Sequence, residues 1–254
     1  MSLGLIVDII LLAILALALI SGMQKGFIGS CLSVLGFIAS WFGAGAIYMN
    51  LTRELMSNQT LMNALASNLS TTDLISKAQG YTDGLLVSQA NNSGIMANVI
   101  ECLRENVSNS AFIDAFKKHA QNSVFSNFTL PEYLNQTIWQ SVFNVISFLI
   151  IFIVLYVIVL LIVNLLNHVF RFPAIRGCDT LLGGVFGLVR GYIIACLVMA
   201  LVPMIFNLFD ATLFETITAD SKVASLFMGD GKISDLFHVK DWVYNLITSI
   251  PTSL

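Results

Sequence analysis

Apolar residues occur in long, nearly uninterrupted runs towards both ends of the chain, and a polar stretch separates them. Four runs have the roughly 20 residues that a helix needs to cross a bilayer. They cover residues 3–21, 27–49, 138–166 and 191–209. The pattern therefore predicts an all-α integral membrane fold with four transmembrane helices.

The lengths of the connections group the four helices into two hairpins. We expect a first transmembrane hairpin over residues 1–50, an insert over 51–137, a second hairpin over 138–209 and a tail over 210–254. The first hairpin turns at the short segment GMQKG. The second contains a glycine-rich segment, 177–191, which we expect to form a short helix at the cytoplasmic face.

The insert has helical periodicity in two pieces, SGIMANVIECLREN and NSAFIDAFKKHAQNSVF. Apolar residues recur every three or four positions in both, at Ile95, Val99 and Cys102 or Leu103, and at Phe112, Phe116 and Ala120. The insert is therefore predicted to be largely helical. A loosely ordered linker is the alternative.

The tail contains a third amphipathic piece, FHVKDWVYNLITSI. Its apolar face carries Phe237, Val243 or Tyr244, and Ile247. This spacing favours a helix that lies in the membrane interface.

Composition agrees with a membrane protein. Hydrophobic residues make up 57% of the chain and charged residues 11%, and the mean hydropathy is +0.84. Soluble domains carry about 25% charged residues, so this chain has too few to cover a globular surface. A net charge of −3 without any basic cluster argues against a nucleic-acid partner. The lipid bilayer is the expected partner.

Positive charges near the spans predict the orientation. Lys25, Arg171, Arg176 and Arg190 fall on one side, and only Arg53 lies close to a span on the other. Lysine and arginine are enriched in cytoplasmic loops. We therefore expect both tight connections in the cytoplasm, and both termini and the insert outside it.

An internal repeat relates the two hairpins. The segment GMQKGFIGSCL (22–32) aligns with GLVRGYIIACL (187–197), so that Lys25 corresponds to Arg190. Such repeats are common in membrane folds. If Arg190 occupies the position of Lys25, it lies at the cytoplasmic interface and its side chain can reach water.

Glycine spacing predicts a close helix contact. Gly183, Gly187 and Gly191 are four residues apart and share one face, which lets another backbone approach. The second span has a similar stripe, Gly29, Ser33, Gly36, Ser40 and Gly43 or Ala44. We expect the two stripes to pack together. A seam between two copies in a homo-oligomer is the alternative.

Motifs of catalysis do not occur in the sequence. There is no zinc-protease HExxH, no GxSxG elbow and no phosphate-binding loop. We therefore expect no enzyme activity, cofactor or metal site, and we interpret the four cysteines as small buried residues. Asp8 is either a water-reaching residue or part of an ion path. Asn164 and Asn167 lie near the cytoplasmic end, level with Asp179 and Arg190, and we expect a structural hydrogen-bonded cluster there. A substrate site is the alternative.

Several of these residues resemble the colicin V production (CvpA) family of bacterial inner-membrane proteins. The similarity is carried by Asp8, by Gly22, Lys25 and Gly26 of GMQKG, by Asn164, and by Asp179, Gly183, Gly187, Arg190 and Gly191 of DTLLGGVFGLVRG. It covers the spans, and leaves out 51–137 and the tail. One departure is Thr180, where the family has arginine; Arg176, one turn earlier, could substitute.

The resemblance implies a multi-pass protein of the bacterial cytoplasmic membrane that is associated with the production or export of a peptide toxin. It implies no mechanism. Three functions stay open: a membrane partner for toxin production or secretion, a small oligomeric channel or transporter, and an envelope scaffold or signalling protein that binds a partner through the outer insert.

Overall fold

The computed structural model describes residues 3–66, 71–106, 110–169, 176–206, 221–227 and 239–249. Its main elements are helices α1 Leu3–Ser57, α2 Gln59–Ala66, α3 Thr71–Ile75, α4 Val87–Ser93, α5 Ile95–Asn106, α6 Ser110–Ala120, α7 Leu130–Val169 and α8 Arg176–Phe206. Two short helices follow, at Ala224–Phe227 and Val239–Thr248. Within these ranges the all-α prediction is confirmed.

Three helices are long and apolar enough to cross a membrane: α1, α7 and α8. The first two predicted spans both lie in α1, whose one residue with non-helical dihedral angles is Gly26 (φ 71°, ψ −179°). The predicted turn at GMQKG is narrower than expected, because residues 22–25 are helical and only Gly26 leaves the helical region. Ser30 Oγ nevertheless donates to Gly22 O at 2.9 Å, although eight residues span about 12 Å in a straight helix. The chain therefore folds back at Gly26, between an arm of residues 3–25 and an arm of residues 27–57.

Two further boundaries differ from the prediction. Helix α7 begins at Leu130 rather than near 138, because Thr129 and Glu132 form a capping box: Thr129 N–H donates to Glu132 Oε2 at 3.0 Å. Pro131 fits the first turn, where no intrahelical N–H is needed. The glycine-rich segment 177–191 is not a separate short helix, since α8 runs unbroken from Arg176 to Phe206.

The residues group into two compact units. The first contains 1–48, 148–203 and 214–240, and the second contains 49–147, 204–213 and 241–254. Helices α1 and α7 each contribute one part to the first unit and another to the second. Each unit has its own buried core.

The second unit has a core like that of a soluble helical domain. Met96, Val99 and Leu103 of α5 and Phe112 and Phe116 of α6 are buried in it. Around them lie Ile75, Val87, Phe125, Leu130, Tyr133 and Leu134. The two helices predicted in the insert are thus confirmed, with the apolar faces that the periodicity indicated.

A polar layer on α7 holds the C-terminal helix of the same unit. Asn144 Nδ2 donates to Leu246 O at 3.0 Å and Ser249 O at 3.1 Å, and Gln140 Nε2 donates to Ser249 O at 2.9 Å. The predicted tail helix is therefore present, as Val239–Thr248. Tyr244, which belongs to the predicted apolar face of this helix, is exposed. The side chains of Phe237, Val243 and Ile247 lie outside the described residues.

The first unit packs the second arm of α1 on α7. Phe37 meets Phe152 and Tyr156 edge to face, with ring centroids 5.1 and 5.6 Å apart. Gly36 makes room for Val159, whose Cγ1 would lie 2.2 Å from an added Cβ. The small-residue stripe of the second span therefore faces α7, and the prediction that it packs against the glycines of α8 is wrong.

Two of the cysteines agree with the prediction of buried residues. Cys102 and Cys196 are buried, Cys31 is partly exposed, and none of these three forms a disulfide within the described residues. The side chain of Cys178 lies outside the described residues.

His119 makes the second unit sensitive to acid. The ring is fully buried and lies 3.1 Å from Thr248 O through Nε2; since a carbonyl oxygen only accepts, Nε2 carries the proton. Burial, and to a lesser degree the charge of Lys118, lower the pKa of His119 despite the bond to Thr248. A lowered pKa means that protonation favours the unfolded chain. The contribution of neutral His119 to the free energy of unfolding is fully present above about pH 6.5, and it is lost as the pH falls below that value.

Thermal unfolding of the purified protein in detergent, measured from pH 8 down to about pH 5, checks this expectation. His119→Gln should flatten the part of the pH dependence that this ring causes. An equally steep loss of stability in that variant would assign the titration to another group.

Candidate functional site

The first arm of α1 and helix α8 touch through their backbones. An added Cβ would lie 2.3 Å from Gly183 O at Gly22, 2.4 Å from Ala18 O at Gly187 and 2.6 Å from the Ala18 Cβ at Gly191. Glycine is required wherever two helix backbones come this close. The shared glycine face of α8 is thus confirmed, but its partner is the first arm. Because this chain already covers the face, the homo-oligomer seam has no support here.

Asp179 caps the second arm of α1 from another helix. Its Oδ1 accepts the backbone N–H of Phe27 at 2.7 Å, and Phe27 is the first residue after the break at Gly26. A carboxylate at this place satisfies an N–H that has no intrahelical acceptor and faces the positive end of the helix dipole. The Phe27 and Phe186 rings pack edge to face alongside, 5.4 Å apart. Asp179 therefore helps to fix the fold-back.

Two positive charges lie close together near the fold-back at Gly26. Arg190 is 9% exposed, and its Nη2 donates to Ser21 Oγ at 3.4 Å. The Tyr156 hydroxyl of α7 lies against the same guanidinium. Lys25 is half-buried, and its ammonium group is repelled by the charge of Arg190. The same group donates to Ser33 Oγ at 3.4 Å. We call these five residues, Ser21, Lys25, Ser33, Tyr156 and Arg190, the basic cluster.

Burial of Arg190 corrects the prediction that its side chain reaches water. The guanidinium is enclosed by helices instead. The repeat is not seen in the backbone either, because the chain breaks at Gly26 whereas the corresponding Gly191 lies within an unbroken helix. Lys25 and Arg190 belong to one site rather than to equivalent positions in two hairpins.

Asp8 ties the first arm to the segment 221–227. Its carboxylate accepts the Ser221 hydroxyl and the backbone N–H of Val223 at 2.9 Å. Ser221 Oγ in turn accepts the N–H of Ala224 at 3.0 Å, at the start of the short helix Ala224–Phe227. Leu11 packs against Ala224 and Phe227 beside this contact. Asp8 thus has a structural role in this contact.

Asn164 is not part of a cluster with Asp179 and Arg190. Its side chain is exposed on α7, whereas Asp179 is occupied by Phe27. Sequence reasoning also missed two members of the basic cluster, Ser21 and Tyr156. Both are polar residues inside apolar runs, and that property was the available signal.

The second unit has an open groove of about 410 Å³ beside α2 and the start of α7. Carboxamides dominate its lining, which consists of Met62, Asn63, Asn127, Phe128, Glu132, Asn135 and Gln136. Glu132 is engaged in the capping box of α7. Carboxamides offer both donors and acceptors, so the groove is suited to a neutral polar surface such as a peptide backbone.

A family model described as colicin V production protein matches residues 7–82 and 107–231, most of the chain. The chain belongs to the colicin V production family. The match extends beyond the four predicted spans, since it includes much of the insert and part of the tail, which the sequence resemblance left out. No curated protein and no solved structure matches the chain significantly. The matched residues thus include the fold-back at Gly26, the basic cluster and the whole lining of the groove.

Proposed function

We propose that this chain is a multi-pass protein of the bacterial cytoplasmic membrane that serves as a non-enzymatic partner in the production or export of a peptide toxin. Membership in the colicin V production family carries the proposal. The two units have different roles: the first holds the protein in the bilayer, and the second presents a surface to a protein partner.

Exposure of apolar side chains supports the embedding of the first unit. Among the described residues, every exposed large apolar side chain except Val124 and Tyr244 belongs to it. A water-soluble protein rarely has so large a contiguous apolar surface. Lipid is the natural solvent for this surface. The second unit has a buried core and a polar exterior instead, as expected outside the bilayer.

Four crossings fit this unit, although three helices within the described residues are long enough to be separate spans. A straight α1 of 55 residues would extend about 83 Å, far more than the roughly 30 Å hydrocarbon core. Folded at Gly26, each arm can cross once, and α7 and α8 add two crossings. Lys25, Arg171, Arg176 and Arg190 then favour a cytoplasmic position for the fold-back, with both termini and the insert outside.

The groove supports a partner role rather than catalysis. Its carboxamides can bind an extended peptide segment by hydrogen bonds, and Met62 and Phe128 add apolar contact. The same arrangement would serve an envelope scaffold, so the identity of the partner decides between these two functions. A toxin precursor or a component of its exporter is the partner that we propose.

Toxin release from a producing strain tests the proposal. Removal of this chain should reduce release, and the wild-type chain should restore it. Asn63→Trp and Asn127→Trp fill the groove and should restore membrane levels of the chain without restoring release. Asn92→Trp, at an exposed position of α4 that does not line the groove, is the matched control. Normal release from the strain without the chain would refute the proposal.

A channel or transporter is the second candidate, favoured by the basic cluster within the membrane-embedded unit. Four crossings per chain cannot enclose a wide path, so this function needs an oligomer. Anion flux into vesicles containing the purified protein, absent with Arg190→Gln, would support it. No flux above that of protein-free vesicles would leave only the partner role.

A further inference from the structure

The basic cluster has two buried or half-buried cations and no counter-ion among the described residues. The ion pair between Arg104 and Glu101 lies elsewhere, in α5. Asp179 lies 11 residues before Arg190, about 16 Å along α8, and its carboxylate caps Phe27. Asp8 is bound by Ser221 and Val223. Neither carboxylate forms an ion pair with Lys25 or Arg190.

Burial of an unpaired positive charge is costly, and two adjacent like charges are more costly still. The guanidinium also has an incomplete set of partners: Arg190 Nε is buried and has no hydrogen-bond partner among the described residues. A buried N–H without an acceptor costs about 1–3 kcal/mol. Both features indicate that an anion belongs in this place.

The other polar groups of the basic cluster also have protons to donate. Ser33 Oγ already donates to Gly29 O at 2.8 Å, so it accepts from Lys25 and leaves two ammonium protons free. Ser21 Oγ accepts from Arg190, and its own proton is available. The Tyr156 hydroxyl, against the same guanidinium, can also donate. Arginine, lysine and two hydroxyls thus converge as donors from three helices.

We propose that the basic cluster is a binding site for a phosphate group, held by Arg190 and Lys25 with Ser21 and Tyr156 as further donors. Arginine favours an oxyanion over a halide, because its planar edge matches two oxygen atoms at once. The phosphate belongs either to the headgroup of an anionic lipid or to free inorganic phosphate. Partial exposure of Lys25 and Ser21 leaves a way in. This inference is independent of the role in toxin production.

Binding is measured on the full chain, purified in a neutral maltoside detergent and stripped of anionic lipid. One arm adds radiolabelled inorganic phosphate in equilibrium dialysis, with chloride as the competitor at equal ionic strength. The other adds phosphatidylglycerol and measures retained lipid by native mass spectrometry. Thermal unfolding is followed in both, since a ligand that binds the folded state raises its stability. The variants are Arg190→Gln and Tyr156→Phe, with Arg53→Gln at an exposed position of α1 as the control.

We expect wild-type protein and Arg53→Gln to bind equally, Tyr156→Phe to bind several-fold more weakly, and Arg190→Gln to bind roughly thirtyfold more weakly. Binding of phosphate alone identifies a free-phosphate site, and binding of phosphatidylglycerol alone identifies a headgroup site. The proposal is overturned if neither binds, if chloride competes as well as phosphate, or if Arg190→Gln binds like wild type. Should Arg190→Gln fail to fold, unchanged binding by Tyr156→Phe overturns it.

Discussion

Gly187→Ala should destabilise the first unit severely. A methyl group at this position would lie 2.4 Å from Ala18 O and 2.9 Å from Gly22 Cα, which are backbone atoms and cannot rotate away. The first arm of α1 must therefore move off α8, which also disturbs the contacts of Gly22 and Gly183. Overpacking of this kind costs roughly 2–3 kcal/mol or more. Unfolding in detergent, followed by circular dichroism, measures the loss.

Gly45→Ala is the matched control, because Gly45 is also helical but has no atom within 4 Å of the place where a Cβ would lie. Alanine is the better helix former, so this change should be neutral or stabilise by up to about 1 kcal/mol. If Gly187→Ala is as stable as Gly45→Ala, the two backbones do not meet as described.

The helical character of the chain could be predicted because it depends on local patterns. The periodicity of residues 95–106 and 110–120 placed α5 and α6 correctly, and also the buried faces around Val99 and Phe116. The start of α7 could have been found, since Thr129 and Glu132 have the spacing of a capping box before a long apolar run.

Partners of the helices were beyond the reach of sequence patterns. A stripe of small residues shows that a helix face packs closely against another backbone, but it does not identify the partner helix. Gly183 and Gly187 were correctly placed on one face, yet their partner is Gly22 and Ala18 rather than the second span. For the same reason the side chain of Arg190 was predicted to reach water: its environment is set by Ser21 and Tyr156, which belong to other helices.

The break in α1 was equally hard to foresee. The segment GMQKG begins and ends with glycine, and both glycines were predicted to be parts of a turn. Gly22 stays helical because it must admit Gly183, and only Gly26 changes its dihedral angles, where Asp179 supplies an acceptor for the next N–H. A tertiary contact therefore decides which glycine bends the chain.

Gly26→Ala should have the second large effect. The backbone there has φ 71° and ψ −179°, a region that only glycine populates readily, and a side chain in it costs about 1–3 kcal/mol. An added Cβ would also lie 2.2 Å from Asp179 Oδ2. If the carboxylate swings aside, Phe27 N–H loses its cap, at about 1 kcal/mol. If the backbone relaxes to helical angles instead, α1 straightens and its arms separate.

Two measurements distinguish these responses. Spin labels at the exposed positions Leu12 and Phe42, one on each arm, would be about 45 Å apart in a straight helix and closer in the folded-back chain. The unfolding free energies of Gly26→Ala, Asp179→Ala and the double variant form a cycle. Because Asp179→Ala removes both the obstacle and the cap, the double variant should lose less than the sum of the two single changes.

Gly94→Ala provides the control for strain alone, since Gly94 has φ 76° with open space around it. It should cost about 1–2 kcal/mol without changing the label distance. Suppose that Gly26→Ala lowers the unfolding free energy by the same amount as Gly94→Ala, and that this loss simply adds to the loss in Asp179→Ala. The contact with Asp179 would then contribute nothing to the fold-back. The break would then be a property of the α1 backbone itself, and Asp179 would be a cap rather than its cause.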